Sequence, residues 1–412
     1  MKKAEIVIIG GGVVGASVAY HLTERGAKDV LILERENEQG KGSTGKATGG
    51  VRAQFETDIN IKMSLYSLDF FNNCGFDCGY EPRGYLFFAT TDKQFDYLKT
   101  NVVKQRELGV QDVEVVDTET ISRIVPGINC EDITGGSFGA RDGFIDPLAV
   151  MDGFTAKALE NGAQIEFDTQ VLSIETASGR ISAVETYKGR IECEKVVLCT
   201  GAWATQLAKT AGIDMPVEAM RRQIVWARSS ADLPANLPMV IDIGTGFHFR
   251  PAREFGRGIK NPVATAPGTD RSKSPVALAA GTDSVREVLF AYPDPDETAS
   301  LETNFDEAFI GKVYEKAKHR ARFLYETEVV REKCRAGLYE NTPDHHAILG
   351  GCEIEGLYFA NGFSGHGVMH SPASGRALSE IILNGKASFL DVSCLSLDRF
   401  AKGELLHETA FI

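Results

Sequence analysis

Three glycines near the amino terminus are spaced to receive a phosphate. Residues 6–9 (Ile-Val-Ile-Ile) form a short β-branched run, as in a strand buried on both faces. Gly10, Gly12 and Gly15 follow at once, and a helical pattern continues to Glu24. In this order Gly10 permits a tight turn, Gly12 lets the main chain approach a pyrophosphate, and Gly15 lets the helix pack against the strand. The helix amino terminus, with Val14 in its first turn, adds free N–H groups and a positive partial charge. Glu34, followed by Arg35, ends the next apolar run, 22 residues after Gly12. Its carboxylate suits a ribose diol and repels a 2′-phosphate. A strand, this glycine turn, a helix and an acid at that distance make a dinucleotide site. The motif does not separate NAD from FAD.

Other chemically suggestive residues carry less. His345 and His346 are adjacent, and adjacent residues on an extended segment face opposite ways, so a polar loop explains them better than a metal pair. No metal site is expected. No Ser/His/Asp or Cys/His arrangement stands out. His366, between Gly365 and Gly367, suggests a loop facing a ligand, and His370 is placed near the same pocket.

The elements that must position these residues read as follows. Residues 40–50 (GKGSTGKATGG) are small and suited to running along a cofactor. A helix is predicted over 59–74, a strand over 84–89, and a helix over 92–108 closed by Gly109. A turn, 142–147 (DGFIDP), leads to a helix over 148–161. Residues 171–176 and 181–186 read as a hairpin, and 195–200 (KVVLCT) as a buried strand ending in Gly201-Ala202-Trp203. One helix is predicted over 305–324, a last nucleotide-domain strand over 355–360, and a helix over 372–384 with Ser371 as N-cap and Pro372 as its first residue. Trp203 is expected to pack on the nucleotide domain.

Strands of one type thus recur near 6, 30, 196 and 357, so the dinucleotide domain is assembled from distant segments. The expected fold is α/β: a Rossmann-like domain of 1–81, 145–212 and 333–412, and an α+β substrate domain of 82–144 and 213–332 with a mainly antiparallel sheet. Residues 252–286 read as a mobile insertion.

Composition sets outer bounds. The 412 residues exceed one small core, and 43% are hydrophobic, which excludes global disorder. A net charge of −13 without a basic block argues against nucleic acid as a partner. The eight cysteines lack zinc spacing and read as buried thiols of a reducing compartment. No apolar run approaches a bilayer span. Glu5 interrupts the signal-like start, so a cytoplasmic protein is expected.

Taken in order, the glycine turn, GSTGKATGG, DGFIDP, VVLCTGAW, AGLYENTPD and GFSGHGVMHSPASG resemble the D-amino-acid oxidase superfamily of flavoproteins. The branch resembled is that of sarcosine oxidase, dimethylglycine dehydrogenase and the β-subunit of L-proline dehydrogenase. The resemblance covers nearly the whole chain outside 252–286. It implies FAD in a domain of glutathione-reductase type. The implied reaction is oxidation of a C–N bond in a small, N-methylated or cyclic amino acid, by hydride transfer to flavin N5. The cofactor-binding set it implies adds Ser43, Thr44, Gly49, Gly50, Val171, Gly201, Trp203, Gly337, Gly362, Gly365, His366, Gly367, Val368 and Met369 to the residues above.

Relatives attach the flavin through a cysteine where this chain has Gly337, or a histidine where it has Lys46, which implies noncovalent FAD. Arg52 matches the carboxylate-binding arginine, and Tyr339 and His366 join it as catalytic candidates. Met369 and Tyr339 replace a lysine and an arginine of better-known relatives. Phe290 stands where sarcosine oxidases carry an oxygen-activating lysine, which leans towards a dehydrogenase; another register would supply Lys260. The acceptor stays open between oxygen, a quinone and a partner protein, as does homo- or hetero-oligomerisation. A 2-hydroxy-acid oxidoreductase on the same fold is the alternative, followed by a flavin-containing electron-transfer or assembly protein and, more weakly, an NAD dehydrogenase.

Overall fold

The computed structural model describes residues 2–252 and 286–408. The expected insertion, and Lys260 within it, lie outside the described residues except at its two ends.

The apolar runs near 6, 30, 196 and 357 come together as one sheet. Strands Leu357–Asn361, Gly189–Leu198, Lys2–Ile9, Val30–Leu33 and Gln164–Glu166 lie side by side in that order, all parallel. Ile348–Gly351 pairs antiparallel at one edge. Strand side chains alternate between faces. Accordingly Ile6, Ile8, Val30 and Ile32 pack on one side with Val18, Leu22, Ala377 and Leu378. Val7, Ile9, Leu31 and Leu33 pack on the other with Val184 and Leu207. That second layer is the hairpin of Val171–Ala177 and Arg180–Thr186, as expected, plus the helix Ala204–Thr210.

The first layer is helical. Val13–Glu24 crosses Gly367–Asn384 where Gly375 lies against Ser17; a Cβ on Gly375 would sit 2.3 Å from the Ser17 hydroxyl. Ser17 Oγ donates to the Ser371 carbonyl at 2.7 Å, so the crossing is bonded as well as packed.

A second sheet of nine strands faces the first across the molecule's main cleft. Its path runs Thr327–Val329, Glu218–Ser229, Glu287–Ala291, His248–Pro251, Met239–Asp242, Tyr85–Ala89, Gly135–Gly139 and Val113–Val116, with Arg335–Asn341 alongside Glu218–Ser229. All pairs are antiparallel except Met239–Asp242 with Tyr85–Ala89. The mixed α/β architecture with a mainly antiparallel second sheet is as expected.

Two expected helices differ. The one over 305–324 is broken into Ala308–Ala317 and Arg322–Tyr325. Ala321 between them is extended and bridges to Ile128, while Asn129 N–H bonds to the Arg320 carbonyl. Tertiary pairing overrides the local pattern. The helix expected from Pro372 starts at Gly367 with His366 as N-cap, which puts Pro372 inside it. Proline lacks the N–H that would bond to the carbonyl four residues back. That carbonyl belongs to Val368, and Ser371 Oγ donates to it at 2.8 Å. Ser371 repairs the helix rather than capping it.

Candidate functional site

A continuous cleft runs from the glycine turn to the inner face of the nine-stranded sheet. Its first end is main chain. Gly10 has φ +104°, and a Cβ there would lie 2.3 Å from the Cys199 carbonyl oxygen. A Cβ on Gly15 would lie 2.0 Å from the Gly10 carbonyl oxygen. Gly15 therefore sits beneath the turn and does not line the cleft; its place is in packing helix on strand. Gly12 caps the Val13–Glu24 helix, and Val13 N–H donates to Thr44 Oγ1 at 3.1 Å, which pins residues 40–50 over the turn. Ser43 Oγ ties the same loop to the Leu338 carbonyl at 2.7 Å. Glu34 accepts Gly11 N–H at 2.9 Å and Glu36 N–H at 3.0 Å, one on each oxygen, and still lines the cleft. Arg35 stacks 3.7 Å over the Trp203 ring, and both border the same end with Val171 and Gly201.

The middle of the cleft is bounded by Gly365, His366, Gly367, Val368 and Met369. The corrected helix start places the first-turn N–H groups of Gly367, Val368 and Met369 here, where they have no intrahelical partner. Lys46 and Gly337 border the cleft as well. A Cβ on Gly337 would lie 3.1 Å from Lys46 Cβ. Gly362, with φ +71°, does not line the cleft; a Cβ there would meet Thr342 Cγ2 at 2.4 Å, so it serves a turn.

Three buried polar atoms on these walls have no hydrogen-bond partner among the described residues: Thr200 Oγ1, Glu340 Oε2 and His366 Nε2. Buried polar groups are normally satisfied, and unsatisfied ones gathered around one cleft await a polar ligand. Burial pushes the Glu340 carboxyl up to about 7, against the pull of the Gly362 and Phe363 N–H groups. Burial, then nearby Arg52, hold His366 well below its usual range, so it is neutral. A pyrophosphate-sized main-chain turn, a ribose-binding acid, a helix amino terminus and unpaired donors and acceptors fit FAD.

The far end is side chain. Several strands of the second sheet bring residues to the cleft: Met239 and Ile241, Arg222 and Ile224, Gly337 and Tyr339, with Tyr85, His248 and Ala291 from their neighbours. Arg52 enters from the loop after Gly50–Val51. Only 3% of it is exposed; its guanidinium lies 3.9 Å from the Phe55 ring centroid and donates to the Gln54 carbonyl. Burial lowers its proton affinity, but an arginine stays charged. Asp142, from the DGFIDP motif, holds this segment: it accepts Ala53 N–H at 2.7 Å and Gln54 Nε2 at 2.9 Å. Burial pushes the Asp142 carboxyl up to about 7. Tyr85 braces Gly50, where any Cβ would overlap the phenol oxygen. Burial raises the phenols of both Tyr85 and Tyr339, so both are protonated donors at neutral pH.

The site thus brings Arg52, Tyr339 and His366 into one cleft with Gly10, Gly12, Val14, Glu34, Arg35, Ser43, Thr44, Gly49, Gly50, Val171, Gly201, Trp203, Gly337, Gly365, Gly367, Val368 and Met369. Some readings need correction. Phe290 is not over the cofactor site: it is core, packed edge-on against Tyr314 with ring centroids 5.2 Å apart, and Ala291 is the residue of that strand that lines the cleft. His370 does not line it; its Nε2 bonds Ser64 Oγ at 2.9 Å. His346 is an anchor between the Asp344 carbonyl and Thr57 Oγ1. Of the cysteines only Cys78, Cys193 and Cys199 are buried thiols; Cys74, Cys130, Cys334 and Cys352 are half-buried and Cys394 is exposed. Sequence reasoning missed Thr200, Tyr85, Arg222, His248 and Glu340. Glu340 alone left a signal, as an acid inside the AGLYENTPD strand.

The fold and cleft define an FAD-binding oxidoreductase. Residues 5–381 match the FAD dependent oxidoreductase family, and the chain belongs to it, as its motifs suggested. FAD-dependent oxidoreductase domain-containing protein 1 of Xenopus laevis is 30% identical over 99% of this chain and 84% of that protein. Human mitochondrial dimethylglycine dehydrogenase is 27% identical over 97% of this chain and 45% of its own length. The crystal structure of L-proline dehydrogenase from P. horikoshii superposes with a TM-score of 0.84 at 27% identity, covering 98% of this chain and all of that one. Glycine oxidase from Geobacillus kaustophilus gives 0.78 at 21% identity over 97% and 99%, a likeness of fold. No helix among the described residues is long and apolar enough to cross a membrane.

Proposed function

We propose that this protein oxidises the C–N bond of a small amino acid, with an N-methylated or cyclic substrate favoured and FAD held noncovalently. One observation carries the reading: a buried guanidinium, Arg52, stands in the same cleft as neutral His366 and protonated Tyr85 and Tyr339. Arg52 clamps the substrate carboxylate through its planar fork. Tyr339 and Tyr85 donate hydrogen bonds that orient it, and the phenyl faces of Phe55 and Phe87 exclude water from the clamp. His366 offers its free Nε2 without adding charge beside Arg52. FAD, when bound, accepts the two electrons and the hydride. The Gly367–Met369 N–H groups face the cleft, where they favour the negative charge that reduction creates.

Names of similar proteins support the substrate class: dimethylglycine, proline and glycine are all small amino acids. The residue of the Glu287–Ala291 strand at the cleft is alanine, not lysine, which supports a dehydrogenase over an oxidase. All eight cysteines are free, in keeping with a reducing compartment such as the cytoplasm.

Anaerobic mixing of the yellow protein with sarcosine, dimethylglycine, proline, D-amino acids and 2-hydroxy acids tests this. Bleaching by an amino acid, with reoxidation faster by a dye than by air, is expected. Bleaching by hydroxy acids alone overturns it.

A further inference from the structure

We propose that Arg222 and Lys46 form a second anion subsite, so that the substrate is an amino acid bearing a second carboxylate. The inference rests on the amino-acid reading above and names its substrate class further.

Arg221 and Arg222 are neighbours on one strand and face opposite ways. Arg221 pairs with Glu297 at 3.0 Å and donates to the Asn304 carbonyl at 2.9 Å. Arg222 lines the cleft. Its polar contact is the Arg221 carbonyl at 3.1 Å, and its guanidinium lies 5.5 Å from the Tyr339 ring centroid. No carboxylate lies within ion-pair distance of it among the described residues; Glu297 and Asp294 act on it only from farther off. Lys46 also lines the cleft, and among the described residues it has no ion pair. Burial lowers the proton affinity of both.

Gly337 connects the two. It is the cross-strand partner of Arg222, so the two positions share a face. Its missing side chain is the one that would point at Lys46 Cβ. No side chain from Gly337 therefore stands between the two cations. Arg335, two residues earlier on that face, donates to the Lys46 and Ala47 carbonyls at 3.2 and 3.3 Å and holds the lysine there.

Among the described residues no carboxylate is paired with either of these two cations. Both side chains are half-buried, and a partly desolvated charge without a counter-charge favours an anionic ligand. The glycine turn already serves the cofactor's pyrophosphate from another wall. The Tyr339 phenol is influenced by both Arg222 and Arg52, so all three belong to one electrostatic environment. A substrate with one carboxylate on Arg52 and another on Arg222 and Lys46 spans them.

The test uses FAD-loaded protein and matched pairs: N-methylglycine against N-carboxymethylglycine, and alanine against aspartate and glutamate. Diacids should show a KM roughly 10- to 100-fold lower than their monoacid partners, the worth of one charge-assisted pair. In Arg222→Gln that ratio should collapse towards one, Arg222→Lys should recover part of it, and FAD affinity by fluorescence titration should hold. Lys46→Gln gives the same direction from the other side of Gly337. Succinate against propionate, read as perturbation of the flavin absorbance, probes the subsite without turnover. Equal KM values within pairs, a preference that survives Arg222→Gln, or loss of FAD in that variant would each overturn the proposal. Succinate binding through Arg222 with no amino acid bleaching the flavin would keep the subsite and sink the amino-acid reading.

Discussion

At the pyrophosphate end of the cleft the wall is main chain, and at the substrate end it is side chain. Gly10, Gly12 and the 40–50 loop offer N–H groups and close approach. Arg52, from a loop, and Tyr85, Arg222, His248 and Tyr339, from separate strands, offer charge, hydroxyls and an imidazole. The first end is bound to one chemistry, because its shape needs glycine at fixed positions. The second can change substrate by single replacements that leave the strands intact. Gly50 is the seam: Tyr85 of the substrate wall fills the place of its side chain, so the cofactor loop and the substrate sheet fix each other.

The difference can be broken at its strongest point. Gly10→Ala forces a Cβ against the Cys199 carbonyl at a backbone angle that L-residues rarely adopt. We expect a loss of about 3 kcal/mol or more in urea unfolding and protein purified without flavin. A yellow variant of wild-type stability would mean the turn is not what holds the cofactor end.

Asp142→Asn probes the support behind Arg52. An aspartate whose carboxyl titrates near 7 when folded, and near 4 when unfolded, keeps its proton in the native state between those values. Its contribution to stability is present below about pH 4 and is lost as the pH rises through about 7. The variant removes that slope, so relative to wild type it should gain stability from pH 5 to pH 8. Urea midpoints at the two values measure it, and a parallel loss at both would show that Asp142 titrates normally.

Gly337→Ala is the mildest. Backbone conformation does not require glycine there, and the new Cβ meets Lys46 Cβ at 3.1 Å, a tight contact that a shift of a few tenths of an ångström in the 40–50 loop relieves. A cost under about 1 kcal/mol with retained flavin is expected. Loss of FAD would move Gly337 into the main-chain class.

This contrast also explains what the sequence made legible. Gly10, Gly15 and Glu34 are read from spacing because local geometry dictates them. The parallel strands near 6, 30, 196 and 357 are read from continuous apolar runs, since both their faces are buried. Arg222 and His248 left no such trace: each is one position in an alternating strand, and only the pairing of distant strands turns it to the cleft. Phe290 shows the same limit, since a register one residue off exchanges core for cleft. The helix at Gly367 was misplaced because Pro372 looks like a start, and its rescue by Ser371 is a local bond of one hydroxyl, from a residue type that reads equally well as a cap.

The central claim is that cofactor and substrate are held by separable walls of one cleft. Arg52→Met tests it in one protein preparation, by FAD titration and by anaerobic bleaching with the best amino-acid substrate. FAD affinity should be unchanged and bleaching efficiency down about 100-fold, the loss of a charge-assisted carboxylate clamp. Unchanged bleaching, or FAD lost together with activity, would contradict it.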